Sequence, residues 1–262
     1  MEYKWKSGRG LMSESEGQIV RVLRASEMEA LLNAVDINDE HGNKSRKWLR
    51  QRNVTTEDVK SWFKFALFTG TRFGEAIVVH RDPSLLFNPY TIRIPNYPGA
   101  KRKRKTTFRN ISLSYKGREF IPEFFDAVQL PSDDEKQVRQ TLTSLSLILH
   151  GAADRINLDS YDFDIQIADG PVYTDEKGKQ RKEKTVHRLN TNGVTFRSFR
   201  KTWESWLVLT FANDYLSHVK IAKGQGHDIE TSMDFYTKIL SGFDRDDRKE
   251  VIPWVDGYGE VD

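Results

Sequence analysis

Arginine, histidine and tyrosine side chains occur along the sequence at spacings that suit chemistry on a phosphate. Arg72 begins a predicted helix, where exposed backbone amides and a planar guanidinium can hold an anion together. Arg197 and Arg200 lie one helical turn apart and can point the same way. Further along the chain, His227 precedes Tyr236 by nine residues. These residue types can bind an anion, carry a proton and offer a hydroxyl, but the stretch that holds His227 and Tyr236 does not by itself show that they act in one reaction.

Each of these groups also has an ordinary structural interpretation. Arg72 can pair on the surface with Glu75, one turn away, and the two later arginines can form a solvated basic turn. The i, i+3 and i+7 spacing of an apolar helix face is shared by Met233, Tyr236 and Leu240. Taken alone, Tyr236 is therefore predicted to be a core residue, and only its combination with other parts of the chain favours chemistry.

Positive charge is segregated along the chain. Of its 262 residues, 41 are basic and 38 are acidic, so the net charge is only +3. Residues 101–109 nevertheless hold six basic residues and no acidic one, and residues 177–188 hold six basic residues and one acidic one. Two positive patches in a nearly neutral chain favour a polyanion as partner, although two solvated basic turns would have the same composition.

Composition excludes several classes of protein. No cysteine is present, which rules out disulfides, thiolate nucleophiles and cysteine zinc sites. No apolar run approaches the length of a membrane span, and the first ten residues lack the apolar core of a signal peptide. We therefore expect a soluble, intracellular protein that makes no membrane contact.

The hydrophobic periodicity predicts one mostly helical domain with a small sheet. A capping box of Ser26 and Glu29 begins the first helix. Thr55 or Thr56 caps a later helix, which ends at Gly70. The apolar stripe of this later helix consists of Val59, Trp62, Phe63, Ala66 and Leu67.

The remaining elements alternate between helices and hairpins. We predict a short helix over 72–79 and a β-hairpin with a basic tip over 90–114, where β-branched runs flank a Pro-Gly turn. Residues 162–189 are predicted to be irregular or to form a second hairpin. Further helices are predicted over 121–129, 132–156 and 199–212.

Four separate boxes follow one another in the order found in a known enzyme family. They read TGTRFGE (69–75), KRKRKTTFRNISL (101–113), RSFRKTW (197–203) and GHDIETSMDFY (226–236). In their order and in the His-to-Tyr spacing, these boxes resemble the catalytic domain of the tyrosine recombinases, the phage integrase family. The variants TWESWL and QGH are more similar to archaeal and plasmid or viral integrases than to common bacterial ones. The resemblance implies an α+β fold, mostly α-helical, with a small antiparallel sheet.

The resemblance also implies a role for each site residue. Tyr236 attacks the phosphate to give a 3′-phosphotyrosine and releases a 5′-hydroxyl. Arg72 and Arg200 clamp the non-bridging oxygens, because a guanidinium stays charged and binds two oxygens at once. Lys105 protonates the leaving oxygen, and His227 donates a hydrogen bond to the phosphate or takes part in proton transfer. No metal and no cofactor are implied, since the phosphotyrosine keeps the bond energy.

The sequence departs from the family pattern in two boxes. Arg197 stands where the family usually has a histidine, which favours an assisting phosphate contact over a proton relay. In the hairpin, Arg104 lies nearest to the expected lysine, so Lys105 and Lys103 are the candidates, and Lys105 fits the family pattern better. Glu75 is predicted to orient a basic neighbour rather than to react. The side chains predicted to contact DNA are Lys101, Arg102, Lys103, Arg104, Arg109 and Lys201.

The predicted domain organisation has three parts. Residues 1–24 form a lead-in, residues 25–242 the catalytic domain and residues 243–262 a C-terminal segment. The N-terminal core-binding domain usual in the family is not expected, so the chain resembles a catalytic domain alone. The C-terminal segment either docks on a neighbouring protomer or folds back on its own domain, through the apolar residues Val251, Ile252 and Trp254.

The leading hypothesis is a site-specific DNA recombinase or integrase that breaks and rejoins strands without ATP or metal. Its expected partners are double-stranded DNA attachment sites, on which it forms a homotetramer when two sites are synapsed, with a monomer in the absence of DNA. The expected location is the cytoplasm, on DNA, and that of the host cell if the gene is viral. Two alternatives remain: a type IB topoisomerase, which uses much the same residues, and a DNA-binding accessory protein with a degenerate site.

The choice between the two hairpin lysines gives a first testable prediction. We expect Lys105→Ala to slow cleavage of ordinary DNA by roughly 10²-fold or more, because the leaving oxygen loses its proton donor. A 5′-phosphorothiolate substrate should restore the rate, since a thiolate leaves without protonation. Lys103→Ala is the matched control: it removes a predicted DNA contact but not the proton donor, so at saturating DNA it should cleave both substrates at the wild-type rate. Rescue of Lys103→Ala instead of Lys105→Ala would reverse the assignment.

Overall fold

The computed structural model has an α+β fold in which helices surround a small antiparallel sheet, as the sequence predicts. The residues it describes are 5–6, 9–10, 22–38, 43–95, 108–130, 135–158, 165–174, 178, 180–188, 194–211, 215–226, 229–230, 232, 243 and 245–259. Several predicted site and core residues lie outside these ranges, namely Lys101, Arg102, Lys103, Arg104, Lys105, His227, Met233, Tyr236 and Leu240.

Helices account for most of the described chain. The helices are α1 (Ala25–Asn33), α2 (Asn43–Arg50), α3 (Thr56–Thr69), α4 (Phe73–Arg81), α5 (Tyr115–Asp126), α6 (Glu135–Arg155), α7 (Phe196–Phe211), α8 (Tyr215–Gln225) and α9 (Arg245–Val255). The strands are β1 (Trp5–Lys6), β2 (Arg9–Gly10), β3 (Leu86–Asn88), β4 (Thr91–Pro95), β5 (Phe108–Ser112), β6 (Ile165–Thr174) and β7 (Gln180–Arg188). Among the described residues, no helix has the length and apolar content needed to cross a membrane.

Helix α3 packs against α1, α4, α5 and α7, and both of its ends are capped. The Thr55 hydroxyl accepts a hydrogen bond from the Asp58 amide at 3.1 Å, and the Asp58 carboxylate accepts one from the Thr55 amide at 2.7 Å. Gly70 ends the helix in the left-handed conformation, with φ of 58°. The start at Thr55 and the end at Gly70 are therefore confirmed. The predicted apolar stripe is buried, and Phe65 beside it stacks on Phe124 of α5 with ring centroids 3.8 Å apart.

Helix α7 holds two fully buried tryptophans, and one of them connects the helix to the chain before α1. The indole of Trp206 donates to the carbonyl of Leu23 at 3.0 Å. The amide of Leu23 in turn donates to the hydroxyl of Thr202 at 3.0 Å. Leu23, which the sequence places in the lead-in, is thus a core residue fixed by two hydrogen bonds to α7.

The central sheet has the order β3-β4-β5 and is antiparallel throughout. Ile92 lies opposite Ile111, and Ile94 lies opposite Arg109. Because side chains alternate along a strand and the three isoleucines are buried, Arg109 belongs to the face turned towards the core. Its neighbour Phe108 belongs to the outer face and is exposed.

On that outer face, one arginine is held between two aromatic rings. The guanidinium carbon of Arg93 lies 4.4 Å from the ring centroid of Phe87 and 4.6 Å from that of Phe108. Both contacts have cation–π geometry. The sheet therefore has an aromatic outer face and an inner face that carries an arginine among isoleucines.

Two helix starts differ from their predictions. Helix α1 begins at Ala25 behind Arg24, whose amide donates to the carboxylate of Glu27 at 2.9 Å, so the predicted box of Ser26 and Glu29 is wrong by two residues. Helix α5 begins at Tyr115 rather than at 121, because the Ser114 hydroxyl caps it by accepting from the Gly117 amide at 3.2 Å. Its first turn carries no apolar stripe, which is why periodicity misses it.

Other parts of the C-terminal half add elements that the sequence leaves open or does not predict. Strands β6 and β7 pair antiparallel, so residues 162–189 contain a second hairpin. The sequence analysis does not predict α8 (Tyr215–Gln225). Helix α9 folds back on its own chain against α7, α5 and α1. There Val251 and Val255 are buried, Trp254 stacks 5.9 Å from the ring of Phe68, and Ile252 stays exposed.

The two buried tryptophans of α7 provide a matched test of the connection to Leu23. Trp206→Phe leaves the Leu23 carbonyl without its donor, whereas the indole nitrogen of Trp203 has no hydrogen-bond partner among the described residues. We expect Trp206→Phe to lower the free energy of unfolding by about 1–2 kcal/mol more than Trp203→Phe does. Urea titration of both variants measures the difference. Equal losses would show that the hydrogen bond contributes nothing beyond packing.

Candidate functional site

The guanidinium of Arg200 joins two boxes that are far apart in the sequence. Arg200 lies on α7 and is only 7% exposed. Its Nη1 donates to the carbonyl of Gly70, at the end of α3, at 2.7 Å. Its Nη2 donates to the carbonyl of Gln225, the last residue of α8, two positions before His227. The third box therefore contacts both the first box and the residue that directly precedes the fourth box.

Arg72 stands at the N-cap of α4 with its side chain 55% exposed. Its amide donates to Oε2 of Glu75 at 2.8 Å, and its Nη1 lies 3.6 Å from Oε1 of the same carboxylate. The predicted pairing of Arg72 with Glu75 is thus present, and it leaves more than half of the side chain accessible. An exposed guanidinium beside a helix N-terminus is a suitable place for a phosphate.

Glu75 is fully buried and binds a second arginine, Arg109 of strand β5. Nη2 of Arg109 donates to Oε2 of Glu75 at 2.6 Å. Nη1 of Arg109 donates to the carbonyl of Gly224 near the end of α8 at 3.2 Å. Arg109 is only 12% exposed, so the residue that the sequence predicts as a DNA contact lies inside the cluster and ties the sheet to α4 and α8.

The charges in this cluster act on one another. Burial alone would raise the pKa of Glu75, but Arg109, the Arg72 amide, Arg200 and the Arg72 charge together bring it below the ordinary value. Burial, helped by the charge of Arg109, lowers the pKa of Arg200 to about 10 against the opposing effect of Glu204. At neutral pH, Glu75 is therefore ionised and Arg200 is charged. The guanidinium groups of Arg72, Arg109 and Arg200 lie near two buried carboxylates, Glu75 and Glu204, so positive charge is in excess among these five groups.

Two glycines allow the backbone to lie close to side chains of the cluster region, Gly70 against Gln225 and Gly226 against Arg109. Gly70 has φ of 58°, and a Cβ there would lie 2.2 Å from Oε1 of Gln225. Gly226 has φ of 74°, and a Cβ there would lie 3.3 Å from Cδ of Arg109. A side chain at either position would meet a strained backbone, and at Gly70 also a clash with Gln225. Gly226 directly precedes His227 in the chain.

Lys201 and Tyr258 lie at the edge of the same region. Nζ of Lys201 is 3.9 Å from Oε2 of the buried Glu204, and burial lowers the pKa of this lysine although Glu204 opposes the effect. Burial, with a further contribution from Glu204, raises the pKa of Tyr258 to about 12. Tyr258 therefore stays a neutral phenol at any physiological pH, and its environment is the opposite of what a tyrosine nucleophile needs.

The two arginines of the third box are in different environments. Arg197 lies in the first turn of α7 and is exposed, whereas Arg200, one turn later, is buried. The charges that act on Arg200 come from Arg72, Arg109, Glu75 and Glu204. Within the described chain, the cluster thus unites Arg72, Glu75 and Arg200 with Arg109, while Arg197 faces solvent.

The sequence analysis names Arg109 only as a DNA contact and misses Gln225, and only the buried position of Arg109 left a signal. Arg109, Ile111 and Leu113 follow one another at a spacing of two and share a face, so the two apolar residues predict an inward arginine. Gln225 leaves no such signal. Its role is to offer a backbone carbonyl to Arg200, and any residue type has that carbonyl.

The burial of Glu75 gives a prediction about acid stability. Its pKa is lower in the folded protein than in the unfolded chain, so its stabilising effect is complete above the unfolded value, about 4.3, and is lost as the pH falls through the folded value. We expect Glu75→Gln to cost about 3 kcal/mol at pH 7, because it leaves buried cations without their counter-charge. The difference from wild type should shrink below pH ~4 in urea titrations.

A surface carboxylate serves as the control for this prediction. Glu57 is largely exposed and pairs only at the surface with Lys60 at 2.8 Å. Glu57→Gln should change stability by well under ~1 kcal/mol at either pH. A difference between wild type and Glu75→Gln that stayed constant from pH 7 to pH 3 would contradict the assignment of a buried charge to Glu75.

Comparison with known proteins adds no name to this arrangement. No protein-family model matches the sequence, and no curated protein matches it either. The interpretation of the site therefore depends on the four boxes and on the contacts that Arg200, Arg109 and Glu75 make among them.

Proposed function

We propose that this protein is a site-specific DNA recombinase that cleaves and rejoins strands through a 3′-phosphotyrosine intermediate. The observation that carries the proposal is the position of Arg200, which binds the carbonyl of Gly70 in the first box and that of Gln225, the residue directly before the fourth box. Boxes separated by more than a hundred residues are thereby joined around one electropositive site. A chance set of sequence matches would have no reason to meet in space.

Among the described side chains, the exposed Arg72 is assigned direct contact with the phosphate and the buried Arg200 an indirect role. Arg72, beside the first amides of α4, is accessible enough to bind the non-bridging oxygens. Arg200 is bonded to two carbonyls and is nearly inaccessible, so its contribution is positive charge and the placement of the other boxes. Glu75 holds Arg109 and Arg72 in place and does not react.

The bond changes follow from the residues of the second and fourth boxes. The phenol of Tyr236 loses its proton to water as its oxygen attacks phosphorus, and the bond from phosphorus to the 5′ oxygen breaks. Lys105 gives a proton to the leaving oxygen and regains one from solvent. His227 donates to the phosphate, with the positive cluster stabilising the charge that builds up on it. Attack by a 5′-hydroxyl on the phosphotyrosine reverses these changes and restores the strand, so the energy of the bond is never lost.

Covalent capture tests the proposal without knowledge of the target site. The protein is incubated with a pool of nicked duplexes of random sequence, and DNA that stays attached after denaturation in detergent is sequenced. On the recovered sequence we expect an adduct with wild type and none with Tyr236→Phe. Arg72→Ala should slow adduct formation by roughly a hundredfold, because one phosphate contact in the transition state is lost.

Lys249→Ala is the matched control, since its ammonium pairs with Asp246 on α9 and is not part of the cluster. This variant should form the adduct at the wild-type rate. DNA binding without any adduct would favour the accessory DNA-binding protein instead. Relaxation of supercoiled plasmid without joining of two duplexes would favour the topoisomerase.

A further inference from the structure

A second buried polar network has its centre at Ser232, inside the fourth box. Ser232 is fully buried and stands five residues after His227 and four before Tyr236. Its hydroxyl donates a hydrogen bond to Oε1 of Glu204 at 3.3 Å, and Nε2 of His218 lies 3.0 Å from the same hydroxyl oxygen. Between Glu230 and Phe243, Ser232 is the one residue that the structure describes.

The positions of the protons follow from the chemistry of the three groups. A carboxylate only accepts, so the hydroxyl proton of Ser232 points to Glu204. The hydroxyl oxygen then accepts from His218, which must carry a proton on Nε2. Burial lowers the pKa of His218 although the Glu204 charge opposes the effect, which favours the neutral ring at pH 7. The network is therefore a chain of hydrogen bonds with a fixed direction.

These groups do not form a hydrolytic triad, although they are the residue types of one. A nucleophilic serine must pass its proton to histidine and must reach a substrate. Ser232 donates its hydrogen bond to Glu204 instead, and its side chain is closed off from solvent. The network is thus a link between parts of the chain and not a reactive centre.

Each member of the link belongs to a different part of the fold. Glu204 lies on α7, His218 lies on α8, and Ser232 lies in the chain that continues to Tyr236. A buried carboxylate is a poor source of stability compared with apolar packing, but its hydrogen bonds favour one geometry, and Nζ of Lys201 lies 3.9 Å from its other oxygen. Four residues of chain span at most about 14 Å, so the position of Ser232 limits where Tyr236 can lie.

We propose that Glu204, Ser232 and His218 are positioning residues that hold the segment carrying His227 and Tyr236 against α7 and α8. The effect on catalysis rests on the proposed function, whereas the anchoring of the segment does not. Loss of the link should release the segment while both helices stay folded.

Hydrogen exchange of Ser232→Ala against Ser205→Ala tests the anchoring. Ser205 is a buried serine of α7 whose hydroxyl has no hydrogen-bond partner among the described residues, so it controls for the change of side chain. We expect amide exchange in peptides covering 227–240 to become roughly tenfold faster in Ser232→Ala and to stay unchanged in Ser205→Ala. Unchanged exchange in Ser232→Ala, or an equal rise along the whole chain, would overturn the inference.

Two variants of His218 separate hydrogen bonding from packing. His218→Gln keeps an N–H donor close to the position of Nε2, whereas His218→Leu keeps only the bulk. Slow exchange that is retained with glutamine and lost with leucine supports the link. Equal behaviour of the two variants would contradict it.

The rate of DNA cleavage then tests the positioning role. We expect Ser232→Ala to form the covalent adduct roughly a hundredfold more slowly, because a misplaced nucleophile loses its alignment, with DNA affinity unchanged within about twofold. Faster exchange together with a wild-type cleavage rate would overturn the positioning role. If the wild type forms no adduct at all, the proposed function fails, and the exchange data still decide whether the segment is anchored.

Discussion

The guanidinium of Arg200 is almost completely removed from water, and a buried cation is tolerated only where acceptors surround it. Those acceptors are backbone carbonyls at the ends of α3 and α8. The requirement therefore extends beyond the arginine itself: α3 must end at Gly70 in a left-handed turn, and α8 must end at Gln225. One buried charge thus sets the relative positions of three helices.

Around this charge, the described site has a buried layer and an exposed layer. Glu75 and Arg109 form the buried layer, in which a carboxylate and a guanidinium satisfy each other away from solvent. Arg72 forms the exposed layer and is held at its backbone by the same carboxylate. This arrangement keeps one cation ready for a ligand at little entropic cost, because the side chains behind it are already ordered.

Capping residues and apolar periodicity predict a helix from the sequence where both are present, as in α3. The caps at Thr55 and Gly70 and the stripe between them were readable because each is encoded within one turn of the helix. Helix α8 was missed because it buries only Ile221, Ala222 and Gln225, which give no clear periodic face. The different environments of Arg197 and Arg200 were also unreadable, since spacing places both near one face and only the packing of α7 decides which is buried.

The two faces of strand β5 make different contacts. Arg109 pairs with Glu75 on the inner face, and Phe108 stacks on Arg93 on the outer face. Side chains alternate with a period of two, so a slip of one residue would exchange the two faces. Phe108 would then replace Arg109 opposite Ile94, and the buried carboxylate would lose its strongest partner. A single-residue insertion or deletion within these five residues is therefore equivalent to deleting Arg109, although it would leave the boxes that contain Arg72, Arg200 and Tyr236 unchanged.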